Sequence, residues 1–246
     1  MASSCPTFRL SEIDEERFGV RTARATQVTG DHLPGILEFC QNKNVKFLIA
    51  RCSVSELGVV QSMEKAGFFL MDTLLYYARD LVKMPIPVDR GDYFVRPIQA
   101  GENVQVSAIA SVSFKDYLGH YHADPRLERS LCDEAYASWA VSSCDSREVA
   151  DEVLVAVDGE TILGFATLRF NSKQEGEGVL FGVAPQVQGR GIYRSLMVRA
   201  MEWFLAKGRT RMVVSTQITN VAVQRVWTRL GFELSHACYT FHKWFD

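Results

Sequence analysis

Cysteine and histidine are scarce in this sequence, and neither residue is clustered. The 246 residues include six cysteines and five histidines, and no two cysteines show C-x-x-C spacing. This pattern argues against a zinc site and against a disulfide framework, so we expect no metal. Positive charge is not in excess either, because 27 Lys and Arg residues face 29 Asp and Glu residues. We therefore expect no binding to nucleic acid.

Long apolar runs and a leader-like start are also missing. No window approaches the roughly 18 apolar residues that a membrane span needs. The opening letters MASSCPTFRL contain no apolar core of a signal peptide. We therefore expect no membrane contact and a cytoplasmic location. Hydrophobic residues still make up 47% of the chain, which is enough for a substantial core. The sequence leaves open whether the chain forms a homodimer.

The stretch from Gly178 to Gly208 carries the clearest signal of a binding site. An apolar run, Val179 to Ala184, predicts a strand that stops at Pro185, which has no N–H to donate. The letters QVQGRG follow, and then apolar residues at helical spacing predict a helix: Leu196, Met197, Ala200, Met201 and Phe204. A glycine turn between a strand and a helix directs backbone N–H groups and the positive end of the helix dipole at one spot. The pattern therefore predicts an anion site, most often for a phosphate.

The chain is also predicted to contain two α/β units. A shift of 164 residues places His32–Leu81 over Leu196–Phe245 without a gap, and both stretches predict helix, strand, helix, Gly-Phe and strand. An accidental match of two generic α/β segments is the alternative. The first unit lacks a glycine turn before its helix, and its N-terminal part predicts a strand over Phe18–Thr26. We expect domains at 1–90 and 91–246, joined by an extended linker near Lys83–Val88.

Residues 91–246 predict the order β-α-α-β-β-β-α-β-α-β, with the glycine turn after the fourth strand. Two motifs accompany this order: Gln186, Gly189 and Gly191 at the spacing Q/R-x-x-G-x-G/A, and Asn220 to Phe232, with Val223 and Trp227 replacing the usual Ala and Tyr. In both respects the region resembles the GCN5-related N-acetyltransferase (GNAT) family. The resemblance implies an α/β fold with a mixed sheet, the GNAT acyl-CoA N-acyltransferase fold. It also implies a degenerate GNAT-like domain at 1–90 and acetyl-CoA as co-substrate.

The resemblance assigns a donor site to named residues. Backbone of Phe181, Gly182 and Val183 would pair with the pantetheine arm, and the pyrophosphate would lie on Gln188, Gly189, Arg190, Gly191, Ile192, Tyr193 and Arg194. Asn220 would contact the coenzyme, although an ordinary helix N-cap explains it equally well. Tyr193 departs from the small residue that many members carry. Arg190 and Arg194 are also explained as solvated neighbours.

The resemblance further implies that Tyr239 is the general acid that protonates the departing thiolate. Strand alternation places Tyr239 and Phe241 on one sheet face and His242 on the other. A tyrosine late in a strand is otherwise core or rim packing. The base that deprotonates the amine is not identified by the sequence, and the candidates are Glu177, His120, His122, Asp124 and a path through water.

A narrower resemblance concerns the acceptor. The segment His122–Leu127, the run Thr216–Asn220 and the segment Tyr239–Trp244 look like enzymes that acetylate a nucleotide-linked deoxy amino sugar, of the dTDP-fucosamine (dTDP-4-amino-4,6-dideoxygalactose) acetyltransferase type. This implies a primary amine substrate, a sugar nucleotide, with an acceptor-binding lip formed by Tyr117, His120, Tyr121 and His122. Two alternatives stay open: acylation of another small amine, amino acid or peptide, and a non-catalytic acyl-CoA-binding module.

Overall fold

The computed structural model describes residues 7–89, 91, 93–115 and 117–245. The first half contains the elements β1 (Thr7–Leu10), α1 (Glu12–Phe18), β2 (Thr22–Thr26), α2 (Leu33–Asn42), β3 (Phe47–Ser53), α3 (Leu57–Lys65) and β4 (Phe69–Asp80). The second half contains β5 (Phe94–Pro97), α4 (Asn103–Ser113), α5 (Arg129–Asp145), β6 (Glu152–Asp158), β7 (Thr161–Phe170), β8 (Glu175–Val183), α6 (Ile192–Ala206), β9 (Arg211–Gln217), α7 (Val221–Arg229) and β10 (Glu233–Trp244).

The prediction of a strand over Phe18–Thr26 is corrected, because only Thr22–Thr26 form a strand. The segment before it forms α1, which ends at Gly19 in the left-handed region with φ 66°. Asp14 on α1 is buried and accepts from Ser11 and Arg24, so the acidic stretch is anchored as a helix by a buried carboxylate. The local pattern gave no sign of this long-range partner.

All ten strands form one sheet, in the order β1-β2-β3-β10-β4-β9-β8-β7-β6-β5. The last strand of the chain therefore lies between two strands of the first half. In turn, β4 of the first half lies between β10 and β9 of the second half. Each half completes its own part of the sheet with the other half's final strand, which is a reciprocal strand exchange.

The internal offset of 164 residues matches the positions of the elements. Adding it to the bounds of β3, α3 and β4 gives the bounds of β9, α7 and β10. A rotation that exchanges β4 with β10 also exchanges β3 with β9, so the four central strands are arranged symmetrically. The assignment of 1–90 as a degenerate copy and of 91–246 as the catalytic domain stays a prediction.

Helices cover both faces of the sheet. On one face, α2 and α3 cover a core that includes Leu48, Ala50 and Phe241, while α6 packs on a second core that includes Leu154 and Ala156. On the opposite face, α4 and α5 pack on residues of both halves, among them Phe47, Ile49, Val155 and Val157. The shared core under α4 and α5 joins the two halves, since β3 and β6 lie at distant positions in the sheet.

Candidate active site

The glycine turn lies between the end of β8 and the first turn of α6. Gly189 and Gly191 have φ of 80° and 88°, in the left-handed region that L side chains rarely adopt. A Cβ added at either position would meet no atom within 4 Å, so the outer side of the turn is open. Helix α6 begins at Ile192, and its first N–H groups face outward without intrahelical partners. The predicted anion site is thus an accessible helix N-terminus.

The side chains around this turn have specific partners. Gln188 Nε2 donates to the carbonyl of Val183 at 3.2 Å, which ties the turn to the end of β8. Arg194 donates to Asp89 at 3.3 Å and to the carbonyl of Val88 at 3.0 Å, so its charge also anchors the linker between the halves. A cleft of about 550 Å³ opens here, lined by linker residues and by Arg190, Gly191, Arg194 and Ser195. Arg190 is exposed.

Strands β8 and β9 run parallel and then part. Their pairing covers only Glu175–Gly178 and Arg211–Val214. Beyond it, Phe181, Gly182 and Val183 remain paired with β7 on their other side. A Cβ at Gly182 would lie 2.4 Å from the ring of Phe165, so close packing requires glycine there. The open edge of β8 offers backbone groups to an extended ligand arm.

Asn220 and Tyr117 meet where the two strands part. The Asn220 side chain caps α7 by accepting from the N–H of Val223 at 3.4 Å, and its Nδ2 donates to Thr216 Oγ1 at 3.0 Å. Burial raises the pKa of Tyr117, while contacts of its hydroxyl with Thr216, the Gln217 backbone and Asn220 lower it. The Tyr117 hydroxyl therefore lies deep in the opening, and the residue was predicted to form part of the acceptor-binding lip.

Tyr193 and Ile192 belong to the packed interior at the start of α6. Ile192 is 1% exposed. Trp227 Nε1 donates to the Tyr193 hydroxyl at 2.9 Å, and burial raises the pKa of this hydroxyl. The ring of Tyr193 also packs near Phe181, with ring centres 5.4 Å apart. The large residue at this position thus braces α6 against α7, with only its backbone available to an anion.

The other predicted lip residues point inward. Tyr121 is buried, donates to Asp14 at 2.7 Å and accepts from Arg24, which connects this loop to the first half. His122 has a fully buried side chain, and its Nε2 lies 3.1 Å from Asp133. The structure therefore brings these side chains into the junction of the two halves, beneath the surface.

His120 belongs to a buried chain of three polar side chains. His242 Nδ1 lies 2.7 Å from Asp124 Oδ2, and His242 Nε2 lies 2.9 Å from His120 Nδ1. Because the carboxylate accepts, neutral rings place a proton on each Nδ1 and leave His120 Nε2 as an acceptor. Burial lowers the pKa of both histidines, that of His120 strongly, so both rings stay neutral near pH 7.

Tyr239 lies away from the glycine turn. Its side chain packs with Phe241 on the core beneath α2 and α3, with ring centres 6.3 Å apart. In the sheet it pairs with Cys52 and Thr73, and β4 separates it from β9. The backbones of β10 and β9 are thus two strand spacings, about 10 Å, apart. The catalytic role of Tyr239 stays a prediction that this placement does not support.

Two polar residues lie near the opening, of which sequence reasoning missed Asp72 and assigned no role to Gln217 within the run Thr216–Asn220. Asp72 on β4 and Gln217 at the end of β9 are joined by a hydrogen bond of 3.4 Å from Gln217 Nε2 to Asp72 Oδ2. The available signal was an acidic residue inside the apolar run FLMDTLLYY. The candidate base Glu177 instead forms an ion pair with Arg169 at 2.7 Å.

Comparison with known proteins identifies the class. The model of the acetyltransferase (GNAT) family matches residues 114–232. A solved GCN5-related N-acetyltransferase from Sphaerobacter thermophilus superposes with a TM-score of 0.69 at 14% identity, over 97% of this chain and 76% of that one. This likeness confirms the predicted α/β fold with a mixed sheet. Residues 114–232 therefore match the GNAT family, the protein is an N-acyltransferase, and the donor used by that family is acetyl-CoA.

The individual relatives either share a low sequence identity with this chain or match only part of it. The spore coat polysaccharide biosynthesis protein SpsD of Bacillus subtilis is 21% identical over 83% of this chain and 68% of its own length. A mycothiol acetyltransferase of Saccharopolyspora erythraea is 36% identical, but over 32% of this chain and only 26% of its own length. A tandem GNAT protein from the clavulanic acid biosynthesis pathway superposes with a TM-score of 0.63 at 14% identity, over 92% of this chain and 76% of that one.

The described residues contain neither a candidate membrane span nor a candidate metal site. None of the helices in the described ranges is both long and apolar enough to cross a membrane. The described His, Cys, Asp and Glu residues include no group that could hold a metal ion.

Proposed function

We propose that the protein transfers the acetyl group of acetyl-CoA to a primary amine on a nucleotide-linked deoxy amino sugar, of the dTDP type. The observation that carries the proposal is the set of side chains between the first half of the chain and the opening where β8 and β9 part. There Tyr117 packs on Tyr136, with ring centres 5.2 Å apart, and Asp72 and Gln217 lie nearby. Aromatic rings beside a carboxylate and an amide suit a polar, ring-shaped amine. The similarity to a protein named for polysaccharide biosynthesis supports the same class of acceptor.

The donor is proposed to bind along the path from the glycine turn to the strand opening. Amides from Gln188 to Arg194 would hold the pyrophosphate at the start of α6, where Gly189 and Gly191 leave the turn open. The free edge of β8 at Phe181, Gly182 and Val183 would pair with the pantetheine arm, and Asn220 would contact it from the other side. These residues fit the coenzyme because the open turn and the open strand edge are continuous along β8.

The chemistry requires one proton donor at the thioester. The neutral amine nitrogen forms a bond to the acetyl carbon and gives up a proton to a base or to water, the carbon–sulfur bond breaks, and the thiolate, whose parent thiol has a pKa of about 8.5, takes up a proton. A phenol with a pKa of about 10 is a suitable donor if its hydroxyl reaches the sulfur. Tyr239 is the donor proposed from the sequence. Tyr117 is a second candidate, since its hydroxyl already lies beside Asn220 in the opening.

The first half is proposed to complete the acceptor site without binding a donor of its own. Its connection from β2 to α2 carries no counterpart of the glycine turn.

Five cysteines among the described residues are free, and three of them are fully buried. Free thiols are typical of a reducing compartment, which supports our proposal of a cytoplasmic location.

A thiol-release assay with acetyl-CoA tests the proposed function. The acceptor panel contains dTDP-, UDP- and GDP-linked amino sugars, aminoglycosides, free amino acids and peptides, with mass spectrometry of each product. We expect turnover with at least one sugar nucleotide and an added mass of one acetyl group on its amine. Turnover with peptides or other small amines alone would overturn the sugar assignment. Binding of acetyl-CoA without turnover of any amine would point to a module that only binds the coenzyme.

A further inference from the structure

Two buried oxygen atoms without a donor belong to neighbouring side chains near the opening. Asp72 Oδ1 and Gln217 Oε1 are both buried and have no hydrogen-bond partner among the described residues. Gln217 as a whole is only 7% exposed. Its amide orientation follows from chemistry, because the neighbouring carboxylate oxygen accepts only and therefore takes the Gln217 N–H. Both remaining oxygens are acceptors that lack a donor.

These two oxygens face the side of the sheet covered by α4 and α5. Gln217 pairs directly with Leu74 across the β9–β4 ladder, and Asp72 lies two residues further along the same face of β4. The Tyr117 hydroxyl contacts the backbone of Gln217, and the charge of Asp72 raises the pKa of Tyr117. The oxygen pair is therefore next to the point where β8 and β9 part, within the proposed site.

The surrounding cations have other partners. Arg51 Nε donates to Thr240 Oγ1 at 3.3 Å, and its guanidinium also lowers the pKa of Tyr76 through a hydrogen bond. No ion pair within the described part of the chain includes Asp72. A buried acceptor that finds no donor destabilises a fold. Two such atoms on hydrogen-bonded side chains within the proposed site can take their donor from a ligand.

We propose that Asp72 and Gln217 hold the ammonium group of the acceptor. A primary ammonium carries three N–H donors and a positive charge, so it satisfies both oxygens and pairs with the carboxylate. A hydroxyl supplies one donor and no charge, so the pair selects an amine over the corresponding alcohol. This inference rests on the proposed function: the ammonium is the form that binds, and it must pass a proton to a base or to water before its nitrogen attacks the thioester. It also gives the first half a direct role, because Asp72 belongs to β4.

The test uses the full-length protein and two matched pairs of probes. The first pair is dTDP-4-amino-4,6-dideoxygalactose and its 4-hydroxy counterpart, and the second is D-glucosamine and D-glucose. Binding in the presence of CoA is measured by calorimetry, and kcat and KM are measured with acetyl-CoA. The variants are Asp72→Asn and, as a matched change on the same strand away from the opening, Asp80→Asn. Wild type is expected to bind an amine at least about tenfold more tightly than its alcohol, from the strength of charge-assisted hydrogen bonds.

Asp72→Asn is expected to fold, because its new amide N–H₂ can donate to Gln217 Oε1. We expect it to raise the KM for the amine at least about tenfold, to abolish the preference for amine over alcohol and to leave acetyl-CoA affinity unchanged. Asp80→Asn should retain the wild-type KM. An unchanged KM in Asp72→Asn, with wild-type turnover intact, would overturn the ammonium site and leave the proposed function standing. If wild type neither turns over nor preferentially binds any amine, both the proposed function and this site are refuted.

Discussion

The strand exchange predicts that a residue of the last strand stabilises the first half of the chain. Phe241 on β10 is fully buried among residues of β2, β3, α2 and α3, although it lies more than 150 residues further along the chain. It pairs with Ala50 on one side and with Leu70 on the other. We expect Phe241→Ala to destabilise the protein by about 3–5 kcal/mol, the range for a fully buried phenylalanine.

The magnitude has two physical sources. The variant loses the transfer free energy of a buried aromatic ring, and it leaves a cavity beneath α2 and α3 that the surrounding strands fill only in part. Leu234→Ala on the same strand is the matched control, because Leu234 is 57% exposed. A substitution at such a position usually changes stability by less than about 1 kcal/mol.

Urea unfolding followed by circular dichroism measures the change, and hydrogen exchange with mass spectrometry locates it. Amides of β2, β3 and α3 are expected to lose protection first in Phe241→Ala, ahead of those in β6 and β7. A loss of stability below 1 kcal/mol, or faster exchange confined to the second half, would refute the observed position of β10.

Three further predictions concern the site and its surroundings. Gly191→Ala is expected to weaken acetyl-CoA binding about tenfold in calorimetry, because a Cβ is strained at φ 88° and stands at the open turn. One of Tyr117→Phe and Tyr239→Phe is expected to lower kcat about 100-fold, and the placement of the two hydroxyls favours Tyr117. Stability should fall as the pH drops below about 6.5, because burial lowers the pKa of His120 and His242 in the folded protein, while the rings exposed by unfolding take up protons near their ordinary pKa.

Each of these predictions has a contradicting outcome. Unchanged coenzyme affinity in Gly191→Ala would remove the glycine turn from the donor site. Equal losses of kcat in both tyrosine variants, or no loss in either, would exclude a single phenolic donor. For the histidine pair, a urea midpoint that is the same at pH 7.5 and pH 5.5 would show that the rings are not held neutral by burial. A His120→Gln variant with a reduced pH dependence serves as the positive control.

Much of the second half is predictable from local patterns. The apolar run that becomes β8, the glycine turn and the apolar spacing of α6 are short-range features, and each depends on residues close together in the chain. The same holds for the cap at Asn220, since an N-cap bond spans only three residues. The proposed donor side of the site could therefore be outlined from the sequence.

The acceptor side depends on contacts between distant residues. Tyr121 donates a hydrogen bond to Asp14, and His242 links His120 to Asp124. Neither residue spacing nor apolar periodicity predicts these partners. The fate of Tyr239 depends on strand order in the same way. β4 and not β10 lies beside β9, so Leu75 pairs with β9 at the position that corresponds to the pairing of Tyr239 with β3.

The sequence by itself indicated most element types of the second half and the glycine turn, because these follow from backbone chemistry and local apolar spacing, and its resemblance to the GNAT family implied the class of donor. The tertiary structure alone decided which half supplies the strand next to β9, and with it the presence of Asp72 beside Gln217. Strand exchange leaves the local patterns of the two halves nearly the same, since β4 and β10 each lie between two other strands of the sheet. Whether β4 or β10 lies beside β9 depends on the packing of the whole sheet, which no short stretch of the chain contains.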